Sequence, residues 1–269
     1  MSNRDDLALA YSQQHIHTCC CLGKRYVRIE VQIDDPLFGA AIPCVCKRDA
    51  IERERGMRLL RQCGIKPIEL ERWDFNTFNP DSCTPLNGQD ARKTSEMMRS
   101  AKRYCEQYAA NPRGWLVIEG PMGTGKSHLA YAIAKRAIGN GISAFCHSVP
   151  ETLDMLKSGY NDGSYDALLD DLIRVQLLVL DDLGAQYDTP WAKEKLYEII
   201  NARYRQALPM VVTTNELLES NECGIEPRIL SRLKDGIRAG SEGLVHVLRL
   251  SAADYRPGNR MLAKKAAAA

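Results

Sequence analysis

The chain has 269 residues, 45% apolar and 26% charged, values of an ordinary globular protein that exclude wholesale disorder and leave room for one good-sized α/β domain with a small appendage. Its 36 Lys and Arg stand against 34 Asp and Glu, a net +2, so it is no histone-like polycation and contact with nucleic acid must come from a local patch. No apolar run approaches the roughly 18–20 residues that span a bilayer, and the start MSNRDDLALAYSQQ lacks the apolar core of a signal peptide; the expectation is a soluble, cytoplasmic chain with no membrane partner.

In chain order, the first region is rich in cysteine and arginine. Cys19, Cys20, Cys21, Cys44, Cys46, Cys63 and Cys83 all fall in it, while Cys105, Cys146 and Cys223 are scattered singly. Without an export signal, clustered thiols read as metal ligands rather than as a disulfide framework. Lys47 to Cys63 has helical propensity with mixed charges, either a solvated helix face or a helix that meets a partner or a DNA backbone. The stretch NPDSCTPLNGQD is full of turn residues and suits a linker. The expected division is a cysteine-rich module over 1–78, a linker over 79–90 and a second domain over 91–269.

Beyond the linker, strand-like runs alternate with helical patterns. Trp115–Glu119, Ser143–His147, Leu177–Leu180, Met210–Thr214 and Leu244–Leu250 read as strands; Lys126 to Ile138 and Pro190 to Ala207 read as helices. That alternation predicts a parallel sheet with helices on both faces. Gly120-Pro121-Met122-Gly123-Thr124-Gly125-Lys126-Ser127 matches the phosphate-binding pattern G-x-x-x-x-G-K-[ST] in its required place, after a strand and before a helix. Gly123 and Gly125 let backbone N–H groups turn toward phosphate oxygens. Lys126 neutralises the β- and γ-phosphates, the Ser127 hydroxyl ligates Mg²⁺, and the helix N-terminus adds its positive end. At the end of the run LLVL, Asp181 reaches the Mg²⁺ shell and Asp182 faces the γ-phosphate and the attacking water. Asn215, after the run VVTT, stands on a strand expected between the other two and orients water or meets the γ-phosphate. Arg228 and Arg232, four residues apart on one helix face, are either plain surface charges or an arginine finger offered to a neighbouring subunit.

These motifs, GPMGTGKSHLA, LLVLDDLGAQ, TTN, RILSRL and the late ADYR, resemble the AAA+ ATPases of the DnaC/DnaI helicase-loader and IstB transposition-helper group over about residues 70–256. The resemblance implies a P-loop AAA+ fold, ATP and Mg²⁺ at Lys126 and Ser127, and Asp181 as the Walker B aspartate with Asp182 as its catalytic partner. By the same resemblance Asn215 is sensor 1, Arg232 the finger with Arg228 beside it, and Arg256 sensor 2. Two departures accompany it. Most AAA+ proteins carry Glu where Asp182 stands, which implies slower hydrolysis, and only thirteen residues follow Arg256, which implies a truncated lid. The N-terminal region resembles the cysteine-containing adaptor of such loaders, in which paired cysteines flank a short hairpin. Here Cys44 and Cys46 form one half, and Cys19 with Cys21, or His17 with Cys20 or Cys21, completes a tetrahedral Zn²⁺ site; His15 lies in the same cluster, and a reduced, metal-free cluster is the alternative. Val27–Ile33 alternates as a hairpin strand does. In the family, the region of Trp191 faces the central channel, where Trp191 with Lys193 and Lys195 would meet a base and phosphates; a core Trp closing the helix start is the other reading.

The implied function is ATP-dependent loading of a DnaB-type hexameric replicative helicase onto single-stranded DNA by a self-associating ring or spiral. The alternative is a transposition helper that binds DNA and recruits a transposase. A small-molecule P-loop kinase leaves Asn215, Arg232 and Arg256 unexplained, and a nucleotide switch that barely hydrolyses ATP is compatible with Asp182.

Overall fold

The computed structural model describes residues 7–8, 10–12, 14, 16, 24, 26–45, 47, 72–86, 88–184, 189–235 and 245–254. Contacts divide the chain into two compact units, Met1–Arg58 and Leu59–Ala269. The expected linker boundary at 78–79 falls inside the second unit, where Phe75, Phe78 and Cys83 are buried in one apolar cluster with the helix that follows.

In the first unit β1 (Tyr26–Val27) pairs antiparallel with β2 (Ile42–Pro43), Tyr26 opposite Pro43 and Val27 opposite Ile42. The hairpin is there, but much shorter than the alternation over Val27–Ile33 predicts. Residues 28–32 form no strand, and Ile33 is 84% exposed at the turn that follows. Alternation builds a strand only where a partner strand and a face to bury are both at hand. The described core here is Ala8, Ile16 and Ile42, with Val27, Ile29 and Leu37 against it, and the Ser12 hydroxyl donates to the Pro43 carbonyl. Most of Lys47 to Cys63 lies outside the described residues.

The second unit runs α1 (Ala91–Ala110), β3 (Trp115–Glu119), α2 (Lys126–Gly139), β4 (Ala144–Ser148), α3 (Val149–Asp162), α4 (Tyr165–Arg174), β5 (Leu177–Leu183), α5 (Pro190–Arg205), β6 (Met210–Thr214), α6 (Pro227–Leu233) and β7 (Val245–Arg249). The five strands are parallel in the order β4-β5-β6-β3-β7. Side chains alternate between two buried faces, as the period of a strand requires. Leu116, Ile118, Leu177, Val179 and Val211 enter a cluster with α1 and α2, while Trp115, Val117, Leu178, Leu180, Met210 and Val212 enter another with α3, α4, α5 and α6.

Caps set the helix starts. Asp90 accepts from the Arg92 N–H, Ser148 and Glu151 form a capping box at α3, and Thr189 accepts from Ala192 N–H ahead of Pro190. Arg203 is fully buried. Its guanidinium donates to the carbonyls of Leu172, Ile173 and Val175 at 3.0 Å each and of Pro209 at 2.5 Å, closing the end of α4 against the entry to β6. Burial pulls its pKa down to about 10. Among the described residues no helix is long and apolar enough to cross a membrane. Residues 255–269, on which Arg256 and the expected truncated lid fall, lie outside the described residues.

Candidate nucleotide site

The site lies at the carboxyl ends of β3, β5 and β6. β3 stands between β6 and β7, yet its own connection crosses to the far edge at β4. Such a change of direction opens the crevice in which α/β sheets take ligands. A cavity of about 730 Å³ there is lined by Met122, Gly123, Gly125, Lys126, Ser127, Asp181, Asp182, Thr213 and Asn215, and on its other side by Arg72, Trp73, Thr77 and His128.

The loop from Gly120 to Gly125 needs its glycines for room as well as for conformation. At Gly125 φ is +93° and a Cβ would come within 2.7 Å of the Phe78 ring; at Gly123 φ is +75° and a Cβ would collide with the Asp254 carboxylate. Asp254 thus seats the segment after β7 against the loop, two residues before Arg256. Lys126, the first residue of α2, is buried, and its ammonium donates to the carbonyls of Gly120 (2.8 Å) and Pro121 (2.7 Å) and to Asn215 Oδ1 (2.8 Å). Asn215 in turn donates through Nδ2 to Asp182 Oδ1 at 2.9 Å. A chain of contacts therefore joins the loop lysine to the second carboxylate through the amide, and β6 does lie between β3 and β5 as the sequence requires.

Asp181 is buried, which pushes its carboxyl above the usual value; hydrogen bonds from Thr213 and Ser127 and the nearby Lys126 pull the other way. The donors that converge here, Ser127 hydroxyl and Asp181 carboxylate, are hard oxygens, and they suit Mg²⁺ with substrate phosphates and water completing its shell. Gly120, Pro121 and Thr124 shape the loop, Thr124 donating to the Pro121 carbonyl at 3.0 Å.

One wall of the cavity is absent from the sequence reading. Residues 72–78 fold over the start of α2, where His128 Nε2 donates to the Asp74 carbonyl at 2.8 Å and lies 3.2 Å from Thr77 Oγ1. The rings of Trp73 and Phe78 meet His128 at 5.6 and 5.2 Å between centroids, and Asp74 pairs with Lys135 at 2.8 Å. Burial lowers the His128 pKa, opposed by the Asp74 carbonyl and carboxylate. His128 stood in the quoted motif without a role. Nothing in a sequence pairs it with residues some fifty positions earlier.

Other expected residues lie elsewhere. Arg228 and Arg232 are not in the cavity wall; the first stacks on Tyr197 at 4.3 Å and pairs with Glu226, the second stacks on Tyr204 at 4.8 Å and donates to Asn201 Oδ1 at 3.3 Å. Both guanidinium groups rest on α5. Trp191 is half-buried, and it belongs to an aromatic group. Tyr160, 54% exposed, stacks on Tyr165 at 4.1 Å and accepts from Trp191 Nε1 at 3.5 Å; Lys157 lies 5.4 Å over Trp191 and Lys195 5.8 Å over Tyr165. Of the expected zinc ligands, Cys44 is buried and in no disulfide, whereas Cys19, Cys21 and Cys46, like His15, His17 and Cys20, lie outside the described residues. Among the described residues no group of three or more His, Cys, Asp or Glu side chains is placed to hold a metal ion.

The family described as IstB-like ATP binding protein matches residues 68–231. The replicative helicase loader DnaC of Escherichia coli (strain K12) is 28% identical over 193 residues, 70% of this chain and 74% of that protein. Among solved structures, the DnaC helicase loader superposes with a TM-score of 0.52 at 21% identity, over 67% of this chain and 98% of that one. AMPPCP-bound DnaA from Aquifex aeolicus superposes with a TM-score of 0.51 at 18% identity, over 66% of this chain and half of that one. With the five-stranded parallel sheet, these likenesses give the P-loop AAA+ fold of the DnaC kind.

Proposed function

We propose a function from one premise: the chain belongs to the IstB-like ATP binding protein family. It binds and hydrolyses ATP to load a hexameric replicative helicase onto single-stranded DNA, acting in the cytoplasm as a ring or spiral of subunits. The observation that carries the ATPase reading is the convergence of Lys126, Ser127, Asp181, Asp182 and Asn215 on one cavity. Lys126 leaves its carbonyl partners for the β- and γ-phosphates, and the loop N–H groups hold the rest of the triphosphate. Ser127 and Asp181 would hold Mg²⁺, which would supply positive charge to the phosphate oxygens. Asp182 accepts a hydrogen bond from the attacking water, with Asn215 fixing the angle. The water oxygen bonds to the γ-phosphorus as the bond to the β-phosphate oxygen breaks, so ADP and inorganic phosphate leave with one proton. Arg232 on α6, with Arg228 beside it, serves the site of a neighbouring subunit, and Arg256 closes on the γ-phosphate of its own.

The loader reading is supported by the similarity to DnaC and by the surface of α3 and α5. Tyr160 and Trp191 with Lys157, Lys193 and Lys195 offer ring faces beside cations, the chemistry that takes single-stranded nucleic acid. The first unit is the helicase-gripping adaptor, with Zn²⁺ on Cys44, Cys46, Cys19 and Cys21. The discriminating experiment is capture on the immobilised full-length chain with ATP: retention of the hexameric helicase supports the loader, while retention of a transposase on duplex DNA supports the helper. Asp182→Asn should bind ATP as the parent does and turn it over at least about tenfold more slowly; an unchanged rate places water activation elsewhere.

A further inference from the structure

Asp181 and Asp182 are neighbours on β5, and adjacent strand residues point to opposite faces of a sheet. Both nevertheless line the same cavity. The register shows how. β5 pairs with β6 as Leu178 to Met210, Val179 to Val211 and Leu180 to Val212, then resumes as Leu183 to Thr214. Two residues of β5, Asp181 and Asp182, therefore stand against Thr213 alone, which is a β-bulge. Asp182 takes the strain of it, with φ at +59° in the left-handed region that side chains other than glycine seldom adopt.

Thr213 fills the gap in the ladder with its side chain. Its hydroxyl, on a residue 1% exposed, accepts from the Asp182 backbone N–H at 2.9 Å and donates to Asp181 Oδ1 at 2.5 Å. One hydroxyl has one proton, so the two bonds fix each other's direction: the N–H can only give, and the carboxylate can only take. We infer that Thr213 is a positioning residue for the acidic pair, its hydroxyl clamping the bulge so that Asp181 faces the Mg²⁺ oxygens and Asp182 faces the water. The inference rests on the nucleotide reading above and goes beyond it, since that reading takes only Asn215 from this strand.

Three variants of the full chain test it. Thr213→Val keeps the branched shape without the hydroxyl, Thr213→Ala removes both, and Thr213→Ser keeps the hydroxyl. A fluorescent ATP analogue is titrated in EDTA and then along a Mg²⁺ series, and turnover is split into kcat and KM. In EDTA the Val and Ala variants bind as the parent does, because Lys126 and the loop carry that affinity. The Mg²⁺ concentration for half-maximal tightening rises about tenfold in both, and kcat falls about tenfold with KM within about twofold. Thr213→Ser stays within about twofold of the parent on every measure. A parental Mg²⁺ midpoint and kcat in Val and Ala overturn the clamp, and so does a Ser variant as impaired as Val. Should Val fail to fold, the Ala and Ser pair makes the same decision. Lys126→Ala measured alongside separates the two levels: if it binds the analogue like the parent, the nucleotide reading itself fails.

Discussion

Around the two-residue ladder of β1 and β2 the described apolar core is Ala8, Ile16 and Ile42, whereas in the second unit both faces of a five-stranded sheet are covered by helices. The second unit keeps polar groups inside it: Arg203, Glu119 and Asp181 are buried, and hydrogen bonds hold the terminal nitrogens of Arg203 and both carboxylates. The contrast teaches where each unit is vulnerable. The second depends on its buried contacts, and, on the zinc reading proposed above, the first would depend on its ligands.

The sharpest break is the double variant Cys44→Ser with Cys46→Ser, or a chelator on the parent. If the zinc reading proposed above holds, either should remove the first unit's structure and helicase retention while the second unit still binds ATP, because metal binding would then be folding energy. Metal analysis should find about one zinc per chain. Protein purified zinc-free under reducing conditions with helicase binding intact contradicts this. The converse is Arg203→Met, which takes a donor from four carbonyls, of which that of Pro209 keeps the Leu178 N–H, and should cost the second unit about 3–5 kcal/mol in a denaturant melt, with the first unit's transition unmoved. A loss under about 1 kcal/mol would mean the carbonyls find water instead.

Next in size is Lys126→Ala, which should weaken ATP by roughly a hundredfold and leave the first unit's melting transition where it is in nucleotide-free buffer. Isothermal titration reads the first and circular dichroism the second. The smallest effect concerns the wall at 72–78. Lys135 beside Asp74 holds that carboxyl below its ordinary 3.8, and burial holds His128 below its ordinary 6.5. Both groups bind protons more weakly folded than unfolded. Each contribution is therefore full above the unfolded pKa and is lost as pH falls through the folded one, His128 first and Asp74 only in stronger acid. The second unit should therefore lose stability as pH falls below about 6.5, and His128→Asn should flatten that slope.

Much of the nucleotide site was legible because its chemistry is contiguous. Eight residues from Gly120 to Ser127 hold the glycines, the cation and the hydroxyl, and Asp181, Asp182 and Asn215 each end an apolar run that can only be a buried strand. The strands Trp115–Glu119 and Met210–Thr214 were placed to the residue, since a fully buried run bounded by turn signals has little else to be. The hairpin strand expected over Val27–Ile33 is there only at its first residue. Its alternation describes a face, and among the described residues 28–32 pair with no strand.

What the sequence determined by itself is therefore local: which segments are strands, where backbone N–H groups can turn inward, and which carboxylates and amide end up at strand ends. Tertiary structure alone decided which distant groups meet. It brought His128 to the carbonyl of Asp74, set Tyr160 beside Trp191, closed Arg203 over the end of α4, and set Thr213 against a bulge that turns two adjacent carboxylates the same way. The reason is physical. Propensity and periodicity act within a few residues along the chain, while a hydrogen bond forms or fails over a few tenths of an ångström between elements whose register only packing determines.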